Sequence, residues 1–173
     1  MRSVRTLAVA WALLLLCASS AAAQQAIVVV RHAERADAAP PGAAAMAAPS
    51  TDPPLSAAGH ERAGRLAAML RSAGIKQIFT TEFLRTKQTA APTAQALKLD
   101  MTPVSSRDVN ALIARVTGGQ GNVLVVGHSN TVPDILKRLG IKDAITIADT
   151  EHDNLFVVVR PESGEPTLVR LRY

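Results

Sequence analysis

Two kinds of hydrophobic run organise this chain. "AIVVV" (26–30) and "VLVV" (123–126) are continuous and rich in valine, which suits strands buried on both faces. Between them lie stretches with apolar residues three and four apart, the spacing of amphipathic helices. Ser56 can cap the first helix, over 57–74, with Leu66, Met69 and Leu70 on one face and Gly74 as the stop. "KQIFTT" (76–81) reads as a second strand, 82–97 as a helix kinked at Pro92, and "MTPV" (101–104) as a short third strand. Asp108 can cap a helix through Val116. "GNVLVVGH" (121–128) is the fourth strand, followed by a helix over 131–139 with Pro133 in its first turn. "NLFVVVR" and "TLVRLRY" end the chain as two strands, an antiparallel pair at the sheet edge. Strands alternating with helices predict an α/β fold, a mainly parallel sheet with helices on both faces.

Two segments stand outside this pattern. Residues 1–23 open with Arg2 and Arg5, continue through "LAVAWALLLLCA", and end in "AAA", with Ala21 and Ala23 where a signal peptidase reads. This is the pattern of a cleavable secretory signal, too short for a spanning helix, and it places the protein in the periplasm or outside the cell. A lipoprotein signal at Cys17 is the alternative, disfavoured by the bulky Leu16 before it. Residues 36–54 hold five of the ten prolines among many alanines and read as a long loop. The loop starts just after an Arg-His pair, so it is either a lid or a plain insertion.

Cleavage would leave residues 24–173, enough for one domain with a full core and too few for two. It would also remove Cys17, the only cysteine, and with it any disulfide or thiol nucleophile. Loss of Arg2 and Arg5 would lower the formal charge from +5 to +3. The remaining basic residues are scattered and aromatics make up 3% of the chain, so nucleic acid is a poor partner.

Ligands of such sheets bind beyond the carboxyl ends of the strands. Arg31, His32 and Glu34 follow the first strand, Thr80, Thr81, Glu82 and Arg85 the second, and His128, Ser129 and Asn130 the fourth. Two arginines beside a helix N-terminus make an anion site, and a tetrahedral phosphoryl group uses donors from several directions. Ser129 sits at that helix start. A neutral imidazole next to an arginine-bound phosphoryl group can attack phosphorus. Flanking arginines keep it neutral by disfavouring a further positive charge.

"VVVRHAE", "DPPLSAAGHERA", "TTEFLRTKQTA" and "VLVVGHSNT", in this order, resemble the histidine phosphatase (phosphoglycerate mutase-like) superfamily, as a small single-domain member. Ala33 stands where that family's Arg-His-Gly signature has glycine. The resemblance implies a phosphoglycerate mutase-like fold and His32 as the phosphorylated nucleophile. It further implies that Arg31, Arg85 and His128 bind and stabilise the transferring phosphoryl group. No cofactor is implied, and the partner is a small phosphorylated substrate or a phosphohistidine-type ligand. Many members carry a carboxylate after the third strand that protonates the leaving group. Here that region offers Asp108, which capping alone would explain. Without an acid, the enzyme would favour groups that leave easily, such as aryl or acyl phosphates or phosphoramidates. The helical insertions of the larger members are missing, and an exported enzyme would not meet the mutases' glycolytic substrate.

Other readings remain open at this point. The same arginines could serve a non-catalytic module that captures phosphorylated ligands, although binding alone does not need both histidines. A phosphomutase would need a phosphorylated acceptor at the same site. His32, Glu34 and His128 could ligate a metal, but two nearby arginines would repel a dication. His60, beside Glu61 and Arg62, reads as solvated; His152, in "DTEHDN", lies on an acidic turn that could reach the pocket rim, with a plain turn the favoured reading. Glu34 and Glu82 are expected to orient Arg31 or Arg85.

Overall fold

The computed structural model describes residues 24–37 and 51–173. In chain order these form β1 (Gln25–Arg31), α1 (Ala57–Leu70), β2 (Ile75–Thr80), α2 (Leu84–Leu97), β3 (Met101–Pro103) and α3 (Val109–Gly118). Then follow β4 (Asn122–Gly127), α4 (Thr131–Arg138), β5 (Asn154–Arg160) and β6 (Thr167–Arg172). The strands make one six-stranded sheet in the order β3-β2-β4-β1-β5-β6. β3, β2, β4 and β1 are parallel, β5 runs antiparallel to β1, and β6 antiparallel to β5. The expected antiparallel pair is therefore present, with β5 joined to the central strand and only β6 at the edge. The proposed signal (1–23) and residues 38–50 of the proline-rich loop lie outside the described residues. Among the described helices none is long and apolar enough to cross a membrane.

The valine runs are continuous because both faces of the sheet are covered. Ile27 and Val29 of β1 and Val123 and Val125 of β4 pack with Leu112 and Val116 of α3 and Ile135 and Leu136 of α4. Val28, Val30, Leu124 and Val126 point the other way, to Leu66 and Leu70 of α1 and Ala90 and Ala94 of α2. Each fully buried aliphatic side chain here contributes roughly 1.5–3 kcal/mol of transfer free energy.

Local signals set the helix ends. Ser56 Oγ accepts the Gly59 N–H at 3.1 Å, and Asp108 Oδ1 accepts the Ala111 N–H at 2.9 Å. α2 has no cap from its own sequence. Asp52, reaching in from the loop before α1, accepts the Leu84 N–H through both oxygens at 2.9 and 3.0 Å. α2 runs through Pro92 to Leu97. The buried stripe of α1 is Gly59, Ala63, Leu66, Ala67 and Leu70. Met69 falls to one side of that stripe and is 47% exposed, so it is not the core residue its spacing predicted. Gly59 is needed for close approach, since a Cβ there would lie 2.2 Å from the Glu34 carbonyl oxygen. α1 thus presses on the segment that follows His32. The Ser56 N–H donates to that same carbonyl at 2.9 Å.

Candidate active site

The carboxyl ends of β1, β2 and β4 open onto a pocket of about 600 Å³. Its lining includes Arg31, His32, Phe83, Arg85, His128, Ser129, Asn130 and His152, with Arg35, Ser106, Arg107 and Asp149 among the others. Arg31, His32, Arg85, His128 and Ser129, drawn from three separate strand ends, are therefore brought together.

His32 continues the β1–β4 ladder, its N–H donating to the Gly127 carbonyl at 2.9 Å. Its ring is fixed by a 2.8 Å bond between Nδ1 and the Ala33 carbonyl. A carbonyl only accepts, so Nδ1 carries the proton and Nε2 keeps a free lone pair. Burial, together with the charges of His128, Arg31 and Arg85, pulls the imidazole pKa from 6.5 down to about 3, against the opposing pull of the carbonyl. The ring is therefore neutral at physiological pH. Ala33 is fully buried and its N–H donates to Thr89 Oγ1 at 2.9 Å, which locks the turn after the histidine.

His128 is oriented from the opposite side. Thr86 Oγ1 donates to the Phe83 carbonyl at 2.8 Å, so Thr81 must donate to Thr86 across 2.9 Å. The Thr81 oxygen is then free to accept His128 Nε2–H at 3.1 Å. That leaves His128 Nδ1 as the nitrogen available to a ligand. Burial, then the Arg85 charge, lowers this ring's pKa to about 4. The two rings meet edge-on with centroids 5.3 Å apart. Thr131 Oγ1 accepts the His128 N–H at 2.9 Å. Gly127 leaves room for that hydroxyl, because a Cβ would come within 2.8 Å of it.

Arg31 is buried and Arg85 half-buried, and the ion pair each makes is long. Arg31 Nη1 donates to the carbonyls of Ala148 and Glu151 at 2.7 and 3.1 Å, while its nearest carboxylate, Asp149, lies 3.9 Å away. Arg85 stacks 4.2 Å over the Phe83 ring and reaches Asp52 at 3.5 Å. Burial lowers both guanidinium pKa values, and the Nε atom of each is buried without a partner. Such under-compensated cations are costly to keep in a fold and mark a functional site. Among the described residues, no group of three or more His, Cys, Asp or Glu is placed to share a metal ion.

Several expectations need correction. Glu34 does not orient Arg31; it forms a two-pronged pair with Arg62 of α1, with contacts of 2.6 and 2.8 Å. Glu82 does not orient Arg85 either, but accepts from the N–H and hydroxyl of Ser106, both at 2.8 Å. Asp108 is an exposed helix cap, and the pocket lining includes its neighbour Arg107 instead. His60 is exposed. His152 is not part of a plain turn: it is 8% exposed, lines the pocket, and its Nδ1 bonds the His32 carbonyl at 2.9 Å. A signal for this was available. Val30 pairs with Leu155 across the antiparallel β1–β5 ladder, so the residues just before β5 arrive beside His32. The rule that ligands bind beyond strand carboxyl ends covers the parallel strands and passes over residues that precede an antiparallel one.

Residues 27–109 match the model of the histidine phosphatase superfamily (branch 1). Over that stretch, just under half of the 173 residues, the chain is similar to the histidine phosphatase superfamily. The matched stretch holds Arg31, His32 and Arg85, while His128 and His152 lie beyond it. Among solved structures, the fold resembles the protein histidine phosphatase SixA complexed with tungstate, at TM-score 0.65 and 21% identity over 85% of this chain and 96% of that one. The α-ribazole phosphatase of Shigella flexneri aligns at TM-score 0.66 and 16% identity, covering 86% and 96% of the two chains. A phosphoglycerate mutase of Bacillus anthracis aligns at 0.62 and 15%, covering 87% and 93%. At these identities the likeness concerns the fold: the α/β arrangement that the strand and helix pattern predicted, in the phosphoglycerate mutase-like form that the resemblance implied. No curated protein matches the chain.

Proposed function

We propose that this histidine phosphatase-fold protein hydrolyses a phosphomonoester or phosphoramidate in two displacements through His32. The observation that carries the reading is the His32 ring itself. Its Nδ1–H is held by the Ala33 carbonyl, its neutral state is favoured by burial, and its Nε2 is left open among Arg31, Arg85 and His128. Capture of a phosphorylated ligand without chemistry would not need that free nitrogen.

In the first step, Nε2 attacks phosphorus and the bond to the leaving group breaks. Arg31 and Arg85 hold the non-bridging oxygens, Ser129 at the approach to α4 adds a donor, and His128 faces the group with Nδ1. A bound dianion favours protonation of His128. The ring then donates from both nitrogens, to the phosphoryl oxygen and to Thr81. In the second step water attacks phosphorus and His32 leaves, restoring the lone pair on Nε2. The substrate is accordingly a small phosphorylated compound or a phosphohistidine-type ligand. Export through residues 1–23 is part of this proposal and rests on the sequence pattern alone.

The test is turnover of an aryl phosphate by His32→Ala. Turnover should fall on the order of 10⁴-fold or more, as for loss of an enzyme nucleophile, with the thermal transition retained. Activity near wild type in that variant would refute the mechanism.

A further inference from the structure

The pocket contains a third imidazole that the steps above leave idle. His152 stands in the loop between α4 and β5, with its ring centroid 5.7 Å from that of His32. The two rings are anchored alike, each by Nδ1 to a main-chain carbonyl, and the two carbonyls belong to adjacent residues, Ala33 and His32. In both, Nε2 is the nitrogen left for the pocket. The loop that presents His152 is rigidly built. Its Ala148 and Glu151 carbonyls grip Arg31, the Glu151 carboxylate accepts the Ala148 N–H, and Arg172 of β6 ties down Glu151 and Asp153.

Among the described residues, a proton carrier is what the pocket otherwise lacks. Hydrolysis through a phosphorylated imidazole places one proton on the leaving group and removes one from water. Glu34 is engaged by Arg62, Glu82 by Ser106, and Asp108 by the N-terminus of α3. Asp149, the one carboxylate among the described lining residues, has a 98% exposed side chain. His128 has Nε2 committed to Thr81 and Nδ1 to the phosphoryl group.

We propose that His152 Nε2 is the proton carrier, acid in the first displacement and base in the second. This rests on the phosphoryl-transfer reading above. As His32 Nε2 bonds to phosphorus and the P–O bond breaks, the leaving oxygen takes the proton of His152 Nε2–H. As water bonds to phosphorus and the N–P bond breaks, its proton goes to the same nitrogen. Over one turnover the ester and water become alcohol and phosphate, and His152 ends as it began.

The charged and titratable groups facing His152 are Arg31 on β1, His32 and Glu34 just after it, and Arg62 on α1. Burial and then Arg31 lower the ring's pKa, while the His32 carbonyl and Glu34 oppose them. The neutral ring so favoured is the base of the second step. A substrate dianion beside it favours the protonated ring needed for the first.

The experiment is His152→Asn, which keeps an amide N–H for the His32 carbonyl and removes Nε2. An activated aryl phosphate and an alkyl phosphate are compared, with phosphoenzyme measured by rapid quench. Turnover of the alkyl ester should fall ~10²–10⁴-fold. Enzyme phosphorylation by the aryl ester should change by less than about tenfold, its leaving group needing little help. Phosphoenzyme should then accumulate, because water attack has lost its base. Equal losses on both substrates without accumulation would overturn the proposal and leave His152 as a support for the His32 backbone. The wild-type protein gives a second measurement that needs no variant. Its rate should depend weakly on leaving-group pKa, and a steep dependence would overturn the proposal. Turnover by His32→Ala would instead refute the underlying reading, whatever His152→Asn does.

Discussion

On the pocket floor, Arg31, His32 and His128 are each at most 8% exposed, and each is held by a carbonyl or hydroxyl within 3.1 Å. At the rim, Arg107 is exposed, Asp149 stands in water, and Arg35 pairs with its near neighbour Asp37. The floor groups are aimed before any ligand arrives, so they need no reorganisation as charge shifts on a phosphoryl group. The rim groups must be ordered by whatever binds. Chemistry is thus assigned to the floor, and discrimination between substrates to the rim.

The sharpest contrast between the two should come from Arg85→Ala and His128→Ala. Each should lower kcat on the order of 10²-fold, by analogy with loss of one oxyanion donor. Steady-state kinetics would expose an error: a rise in KM with kcat unchanged would mean that these groups only hold the ground state.

Gly59→Ala tests whether the floor depends on the close approach of α1. A methyl group 2.2 Å from the Glu34 carbonyl must displace helix or loop. The cost should be ~1–3 kcal/mol, the range of overpacked cores, read from denaturant unfolding. The segment carrying His32 should shift with it, lowering activity as well. Unchanged stability would mean that the contact is slack.

A smaller effect separates floor from rim by pH. His32 and His128 have folded pKa values of about 3 and about 4, below the ordinary 6.5. Between those values and 6.5 the unfolded chain binds protons that the folded chain does not. Stability is therefore full above pH 6.5 and falls as pH drops towards 4 and below. His128→Asn should flatten the acid side of the melting-temperature profile, whereas Arg107→Gln at the rim should not. The reverse outcome would place the acid sensitivity elsewhere.

The smallest change is expected at Asp108. Asparagine caps a helix about as well as aspartate, and the side chain points to its own helix. Asp108→Asn should leave stability and the rate on alkyl esters within about twofold, that factor being ~0.4 kcal/mol. A large loss confined to alkyl esters would make Asp108 the acid and displace His152.

The parts of the fold that were legible in the sequence are those fixed by near neighbours. The valine runs at 26–30 and 123–126 are strands because both faces are covered, and Ser56 and Asp108 cap helices through their own third-residue N–H groups. Arg31, His32, Arg85 and His128 could be gathered because parallel strands deliver their following residues to one edge. Pairings between distant segments were not legible. Whether Glu34 meets Arg31 or Arg62 depends on how α1 crosses the end of β1, and Asp52 reaches α2 from across the loop. His152 sits in a locally uninformative acidic stretch, and its place follows from the β1–β5 register and from a loop closed around Arg31. On the proposal above, His152 takes the leaving-group role for which the sequence offered Asp108.

Transfer through His32 is tested by quenching the full-turnover reaction and mapping the phosphoryl group. The result expected is an acid-labile, alkali-stable adduct on the peptide containing His32, absent from His32→Ala and formed no more slowly than product. Turnover with no adduct on that peptide, or an adduct that forms more slowly than product, would contradict it.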